Sequence, residues 1–427
     1  MLNPILKYMH SNSRRRAFSL VELLIIVLIM SVLTVTVLSV LKPAELIKEA
    51  RDSTRLSDLA NINSALGVFS VSTRGVFLGN QNIVYVSIPD STSTCANLGL
   101  PTLPTGWDYS CSLESKYRNV DGTGWIPANF SSAPAGSPFA SLPIDPVNTV
   151  SGSFYTYSFS GGKWTLATAM EGKRNRLGGE TDKTSTDSGV NVSLYEVGSS
   201  ISLIPIDYGD KSLFGLWTFD DTGSTSVGDF SGGKHLGLLS PEDFHVVDGC
   251  HKGSCISHDG TKDYLNLPLN SYFGNDNAFT VFAWINTPSN GTVFGLTNKP
   301  PNGFGGWGAS FLSVGENVIH GWVFNGEQFE VSKTRMSTSI SNGWHLVALT
   351  YDPSGEGAEA MYVDGALVAT AIGKYNVPLT PVVWTTYVAY NKPIKVSNYM
   401  SGRMDDVRLY TRALSGSEVL GVYNATR

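Results

Sequence analysis

The segment that most constrains this chain is RRRAFSLVELLIIVLIMSVL, residues 14–33, in which three arginines precede a long apolar run. Between Phe18 and Leu41 the only charged residue is Glu22. A helix over this run would be about 36 Å long, which exceeds a hydrocarbon core of about 30 Å. Because the flank before the run is basic, we expect the N-terminus in the cytoplasm and the rest of the chain outside it.

The residues around this run do not form an ordinary secretory signal. The stretch after the run is polar and helical without a small-x-small cleavage site, so we expect the apolar helix to be retained. A small residue, Ala17, separates the basic leader from FSLVE. These residues resemble the prepilin family, in which a type IV prepilin peptidase cuts before the apolar helix and the new N-terminus is methylated. The resemblance implies cleavage between Ala17 and Phe18.

Glu22 requires a partner, because a lone carboxylate in a bilayer costs about 2.5–3.5 kcal/mol and is normally paired. The resemblance implies that the new amine of Phe18 pairs with Glu22 of a neighbouring subunit. It also implies three partners, namely the peptidase and methyltransferase, the membrane before assembly, and other pilin subunits through the N-terminal helix. A simple signal-anchor helix with a wetted Glu22 is the alternative.

The helical pattern continues beyond Pro43, which we expect to start or kink a second helix. Apolar residues at steps of three and four predict one buried face, and charged residues fall between them. The apolar residues are Leu59, Ile62, Leu66 and Phe69, and the charged ones are Arg51, Asp52, Arg55 and Asp58. The alternating stretches NIVYVSIP and GSFYTYSFSGGKWTLATAMEG predict antiparallel strands packed on this helix.

The first part of the chain is therefore predicted to comprise a cleaved leader, residues 1–17, and an α+β pilin unit, residues 18–205. The stretch 173–193 is rich in Gly, Ser and Thr and predicts an exposed loop. Cys95 and Cys111 lie in this unit, whereas Cys250 and Cys255 lie beyond it. Pairing within each local pair is favoured, and a metal site at the second pair with His251 is the alternative.

In residues 206–427 the composition changes, and the sequence predicts closely spaced strands that are rich in Trp, Gly and Asp. The stretches LFGLWTFDDTGSTSVGDFSGGKHLGLL, SCISHDGTKDYLNLP, AFTVFAWINTP, NGWHLVALTYDPSGEGAEAMYVDGALVAT and SGRMDDVRLYTRALSGSEV resemble, in order, the laminin-G-like, concanavalin A-like jellyroll family. The resemblance implies an all-β jellyroll sandwich. In FTVFAWI both faces are apolar, which predicts a central strand, and Asp364-Gly365 predicts a hairpin turn.

The jellyroll resemblance also implies a calcium ion as a possible cofactor. The residues that match the family's site are Asp229, in GDFSGGKHLG, and Asp405 or Asp406, in RMDDVRLY. In the alternative, Asp229 caps a turn and one of the acidic pair accepts a hydrogen bond from Arg403 or Arg408.

Several patterns bear on catalysis. Glycan-cleaving relatives carry Glu-x-Asp-x-x-Glu on one strand, and this chain has no such pattern. It also has no Gly-x-Ser-x-Gly elbow, zinc cluster or phosphate loop, so we expect no enzymatic activity. Three tryptophans could either stack on a sugar or fill the core of the sandwich, namely Trp307, Trp322 and Trp384.

Net charge limits the partners. The formal charge is −6, and removal of the leader with Lys7 and Arg14, Arg15 and Arg16 makes it four units more negative. We therefore expect no nucleic-acid binding. The leading hypothesis is a major or minor type IV pilus subunit that displays the jellyroll at the cell surface, to recognise or adhere to an extracellular glycan or protein. The alternatives are a pseudopilin of a type II-like secretion apparatus and a membrane-tethered carbohydrate-active enzyme.

Overall fold

The computed structural model describes residues 19–73, 75–221, 225–239, 244–246, 248–260, 264–267, 277–286, 291–297, 308–315, 317–321, 336–355, 357–372, 385–388 and 400–427. The chain divides into two compact units, Met1–Lys48 and Glu49–Arg427. The predicted processing residues Ala17 and Phe18 lie outside the described residues.

The first unit contains α1 (Leu20–Leu41) and the beginning of α2 (Pro43–Ser72). Lys42 adopts a left-handed conformation with φ of 42°, which ends α1. Pro43 then occupies the first position of α2, where its missing N–H costs nothing, so the prediction that it starts a second helix is confirmed. Considering only those residues that the structure describes, we find no helix whose length and apolar character would let it cross a membrane.

The part of the pilin unit that lies in the second unit, residues 49–205, is called the head. It packs α2 on a five-stranded sheet of described residues, in the order β2-β1-β3-β4-β5. The sheet is antiparallel except for the parallel pair β1 and β2. Its strands are β1 (Ile83–Val86), β2 (Asp108–Ser110), β3 (Thr156–Ser160), β4 (Lys163–Ala169) and β5 (Leu194–Gly198). The positive φ angles of Gly161 and Gly162 form the tight turn between β3 and β4, as the sequence predicts.

The predicted apolar face of α2 is confirmed. Leu59, Ile62, Leu66 and Phe69 are all at most 3% exposed and pack in one core cluster with Trp125. Burial of each such side chain stabilises the fold by about 1.5–3 kcal/mol. This cluster fixes the helix on the head.

Two of the charged residues of α2 are not on a solvated face, contrary to the amphipathic pattern. Asp52 and Arg55 are each 0% exposed. Arg55 donates from Nε to Asp145 at 2.6 Å and from Nη1 to Asp52 at 2.8 Å. The reason is that Asp145 and Glu171, about a hundred residues further on, supply compensating charges that the helix sequence does not reveal.

The jellyroll consists, within the described residues, of two eight-stranded sheets. The first has the order β19-β18-β17-β12-β21-β10-β9, with β6 also pairing with β21, and the second has the order β16-β15-β14-β13-β20-β11-β8-β7. The strands are β6 (Leu213–Trp217), β7 (Ser226–Val227), β8 (Gly237–Leu239), β9 (Phe244–Val246), β10 (Cys255–Asp259), β11 (Leu265–Leu267), β12 (Phe279–Asn286), β13 (Gly291–Thr297), β14 (Gly308–Gly315), β15 (Val318–Gly321), β16 (Met336–Ser339), β17 (His345–Asp352), β18 (Ala358–Val363), β19 (Ala366–Ile372), β20 (Thr385–Val388) and β21 (Ser401–Tyr410).

The central strand of the first sheet is β12, as its apolar faces predict. It pairs with β17 on one side and β21 on the other. Val281 and Ile285 face the core between the sheets, whereas Phe282 and Trp284 face a second buried cluster on the outer side. The Asp364-Gly365 turn joins β18 to β19 with positive φ at both residues, which confirms the predicted hairpin.

The outer side of this sheet is covered by elements that an all-β sandwich does not contain. Helix α3 (Gly416–Thr426) begins with a capping box between Ser415 and Glu418. The stretch 173–193, predicted to be an exposed loop, packs beside α3, since Leu177 and Val192 are at most 6% exposed and belong to the outer cluster. These two apolar residues complete that cluster, whereas other residues of the stretch, among them Arg176, are exposed, so the stretch is an exposed loop only in part.

The connection between head and jellyroll is bonded to both. The backbone N–H of Asp207 donates to the carbonyl of Phe230, and Ser193 donates to the Asp207 carboxylate. The N–H of Thr411, at the end of β21, donates to the carbonyl of Ser212. Head and jellyroll accordingly lie within one compact unit.

Candidate functional site

Glu22 lies in the first turn of α1, where the partial positive charge of a helix N-terminus favours a carboxylate. Its side chain is exposed, as are the apolar side chains around it, for example Leu20 at 80% and Leu24 at 66%. The proposed partner atom, the amine of Phe18, lies outside the described residues, so the pairing stays a prediction.

The two predicted disulfides are present. Cys95 pairs with Cys111 in the head, and Cys250 pairs with Cys255 in the jellyroll. Because both sulfurs of the second pair are in a disulfide, the alternative metal site with His251 is wrong. The His251 ring instead stacks on Trp284 at 3.6 Å between centroids.

The residues predicted to bind calcium make hydrogen bonds of their own. Asp229 accepts from the N–H groups of Leu216, Ser231 and His235 and contacts the His235 ring at 3.0 Å, which corresponds to the turn-capping alternative. Burial raises the pKa of Asp229, but its hydrogen bonds with His235 and Ser231 outweigh burial and bring the pKa below its usual value.

The two neighbouring acids of β21, Asp405 and Asp406, have different hydrogen-bond partners. Asp405 accepts from the N–H of Lys252 at 3.1 Å, whereas Asp406 accepts from Arg408 at 3.0 Å. Burial raises the pKa of Asp405 to about 8, with further contributions from the charges of Asp406 and Asp220. In the part of the chain that the structure describes, no group of three or more His, Cys, Asp or Glu could hold a metal ion.

Ser341, His345 and Asp364 form a hydrogen-bonded row at the start of β17, which the sequence did not predict. The His345 ring contacts Asp364 through Nδ1 at 2.7 Å and the Ser341 hydroxyl through Nε2 at 3.0 Å. Asp364 also accepts from the N–H of Leu346, and Nε2 lies 3.1 Å from the Ser341 carbonyl oxygen. The sequence shows the spacing of Ser341 and His345, but the acid that contacts His345, Asp364, lies in the turn of a different hairpin.

A cleft between head and jellyroll has a volume of about 980 Å³. Its walls come from distant segments, so no local pattern predicts it. The head contributes residues 99–102 and 150–154, the connection contributes 208–213, and the jellyroll contributes 231–234 with Arg412 and Glu418.

The acids of this cleft are all bonded to arginines. Glu171 accepts from Arg51 at 2.7 Å and from Arg55 at 2.8 Å. Arg412 donates to Asp210 at 2.8 Å and to Glu418 at 2.7 Å. Although burial raises the pKa of Asp210 and Glu418, the contacts with Arg412 bring both below their usual values, so both stay ionised at neutral pH.

Comparisons with known proteins agree with the sequence resemblance. Residues 12–38 match the prokaryotic N-terminal methylation motif, and residues 259–420 match the concanavalin A-like lectin/glucanases superfamily. A comparison with curated proteins gives no match. The chain therefore combines a methylation motif with a concanavalin A-like domain. This combination fits a pilin-like surface subunit.

Solved structures with detectable similarity are distant. Domain 4 of AbnA, an extracellular arabinanase from Geobacillus stearothermophilus, is 18% identical with a TM-score of 0.35, over 50% of this chain and 98% of that chain. A sialidase from Trypanosoma rangeli is 15% identical with a TM-score of 0.37, over 51% of this chain and 33% of that chain. The receptor-binding domain of botulinum neurotoxin type G is 12% identical with a TM-score of 0.36, over 50% and 51%.

Proposed function

We propose that this protein is a subunit of a type IV pilus, made as a membrane-anchored precursor and displayed outside the cell with its jellyroll as a recognition module. The observation that carries the proposal is the methylation motif at residues 12–38, which contains most of the apolar helix α1. The jellyroll at residues 259–420 supplies the displayed domain.

The described surface of helix α1 is apolar, which suits an apolar environment. Its described apolar side chains are exposed, among them Val27 at 60% and Leu28 at 62%. Among its described side chains, the hydroxyls of Ser31 and Thr34 donate to carbonyls one turn back in the helix. Such a helix avoids unpaired polar groups in lipid and, after assembly, against the helices of neighbouring subunits.

Processing is tested by mass spectrometry of the mature N-terminus. We expect a methylated Phe18, because the peptidase of the family cuts after the small residue that Ala17 represents. Detection of an intact Met1, or of a cut beyond Leu41, would contradict the assignment.

Assembly is tested with Glu22→Ala. We expect normal membrane insertion, since the substitution removes a costly charge, but loss of incorporation into fibres. Ser31→Ala is the matched control, because it removes a polar group from the same helix whose hydroxyl donates within the helix itself. Fibres with wild-type amounts of the Glu22 variant would refute the pairing.

Immunogold labelling separates the pilus from the secretion apparatus. Label along or at the tips of surface fibres supports the pilus, whereas label confined to the envelope supports a pseudopilin. The assay uses the complete protein and no assumption about its ligand.

We also propose that the protein recognises its ligand without catalysis. The row of Ser341, His345 and Asp364 offers a direct test, because a serine activated by histidine reacts with fluorophosphonates. We expect no labelling, since Nε2 of His345 also lies 3.1 Å from the Ser341 carbonyl oxygen, and an Nε2 that carries a proton and donates it there cannot take the proton of the Ser341 hydroxyl. Labelling that disappears in Ser341→Ala would overturn the proposal.

A further inference from the structure

The cleft between head and jellyroll has the dimensions and position of a ligand site. Its volume of about 980 Å³ lies at the upper end of the range of about 300–1,000 Å³ that is usual for ligand pockets. Sites of this kind are often found where two domains meet.

The charges left free at the cleft are positive. Arg176, Lys211 and Lys234 line it and are exposed, and none of them has a carboxylate partner among the described residues. Lys211 does donate to the Ser151 carbonyl oxygen, which places its ammonium group on the cleft wall. The lining carries four cations against three acids, and the three acids are bonded to arginines. An entering ligand therefore meets a net charge of one positive unit and three cations that are outside any ion pair of the described residues.

The remaining lining suits a ligand rich in hydroxyl groups. Backbone is accessible at Gly232 and Gly233, and hydroxyl side chains surround it. Those side chains are Thr102, Ser151, Ser153, Ser193, Ser212 and Ser231. A hydroxyl that already donates, as Ser231 does to Phe214, still accepts from a sugar hydroxyl.

The aromatic content of the cleft disfavours single-stranded nucleic acid, which needs open stacking faces. The rings of Phe154 and Tyr208 lie in the lining, but they stack on one another at 4.9 Å with an angle of 8° between planes. Phe154 is only 4% exposed, and it covers one face of the half-buried Tyr208, so neither ring is an open stacking platform.

We propose that this cleft binds an oligosaccharide that carries carboxylate groups, with Arg176, Lys211 and Lys234 contacting the acid. The inference rests on the proposed recognition function and names its site and ligand class. The site lies between the two halves of the second unit and requires residues of both.

The test is calorimetric titration of the full mature chain in detergent micelles. Two acidic probes, 3′-sialyllactose and trigalacturonate, are compared with lactose and with the methyl ester of trigalacturonate. We expect binding of at least one acid and weaker binding of its neutral counterpart, with affinity that falls at about 0.5 M salt because the contacts are exposed. The acid that binds distinguishes sialylated glycans from uronate-rich ones.

The variants Arg176→Gln, Lys211→Gln and Lys234→Gln should each weaken binding about threefold to tenfold. Lys163→Gln is the control, since Lys163 is exposed at the β3–β4 turn and does not line the cleft. Equal affinity for acidic and neutral probes, equal losses in Lys163→Gln, or tighter binding of a glutamate-rich peptide would overturn the inference. Fibre incorporation, scored in parallel, tests the pilus assignment separately, because it depends on α1.

Discussion

Replacement of Arg55 by methionine removes the centre of a buried ion network. Arg55 is 0% exposed and contacts three carboxylates, Asp52, Asp145 and Glu171, at 2.6–2.8 Å. Without the guanidinium, Asp52 and Asp145 remain buried at 0% and 2% exposure with their charge uncompensated. Breaking a buried pair in this way costs about 3–5 kcal/mol.

The assay is urea unfolding of the full mature chain, followed by tryptophan fluorescence. The matched control is Arg174→Met, whose ion pair with Glu180 joins side chains that are 51% and 75% exposed. An exposed pair contributes about 0–1 kcal/mol, so the control should hardly change the free energy of unfolding. If Arg55→Met costs less than about 1 kcal/mol, the account of α2 as held by buried charge is refuted.

Three further predictions concern pH, packing and calcium. Burial raises the pKa of Glu196 to about 8, so the stability that its protonated form contributes is present below the unfolded pKa and is lost as pH rises through about 8. In Glu196→Gln, the urea midpoint should therefore change less between about pH 5 and about pH 8 than it does in the unmutated protein. Gly178→Ala should lower the free energy of unfolding by about 1–3 kcal/mol, because the new Cβ would lie 2.5 Å from a backbone nitrogen of α3. Gly136→Ala is the control and should cost less, because Gly136 has a similar φ angle but open space around the new Cβ. The sequence-based calcium prediction expects a higher melting midpoint with calcium than with a chelator; an unchanged midpoint, which the hydrogen bonds of Asp229 favour, would refute it.

Local patterns predicted the elements whose causes are local. The two apolar faces of β12 and the Asp364-Gly365 turn depend on residues within one strand or hairpin, and the structure has both. Cys95 and Cys111 are 16 residues apart, so their pairing was also accessible from the sequence.

The features that could not be predicted depend on partners far along the chain. The burial of Arg55 requires Asp145, which is 90 residues away, and the burial of Leu177 requires α3. The cleft is built from segments of both head and jellyroll, and its charge balance depends on which acids already have arginine partners. Composition records the charges but not their pairing.

The bonded connection between head and jellyroll has a mechanical consequence. Backbone hydrogen bonds of Asp207 and Ser212 join the connecting segment to turns of the jellyroll, so no flexible linker separates the two halves. A load applied to a captured ligand would reach the head as shear across several hydrogen bonds at once, not as the stretching of a tether. The jellyroll would then follow every rotation of the head, and the direction it faces would be set by the packing of the subunit that carries it.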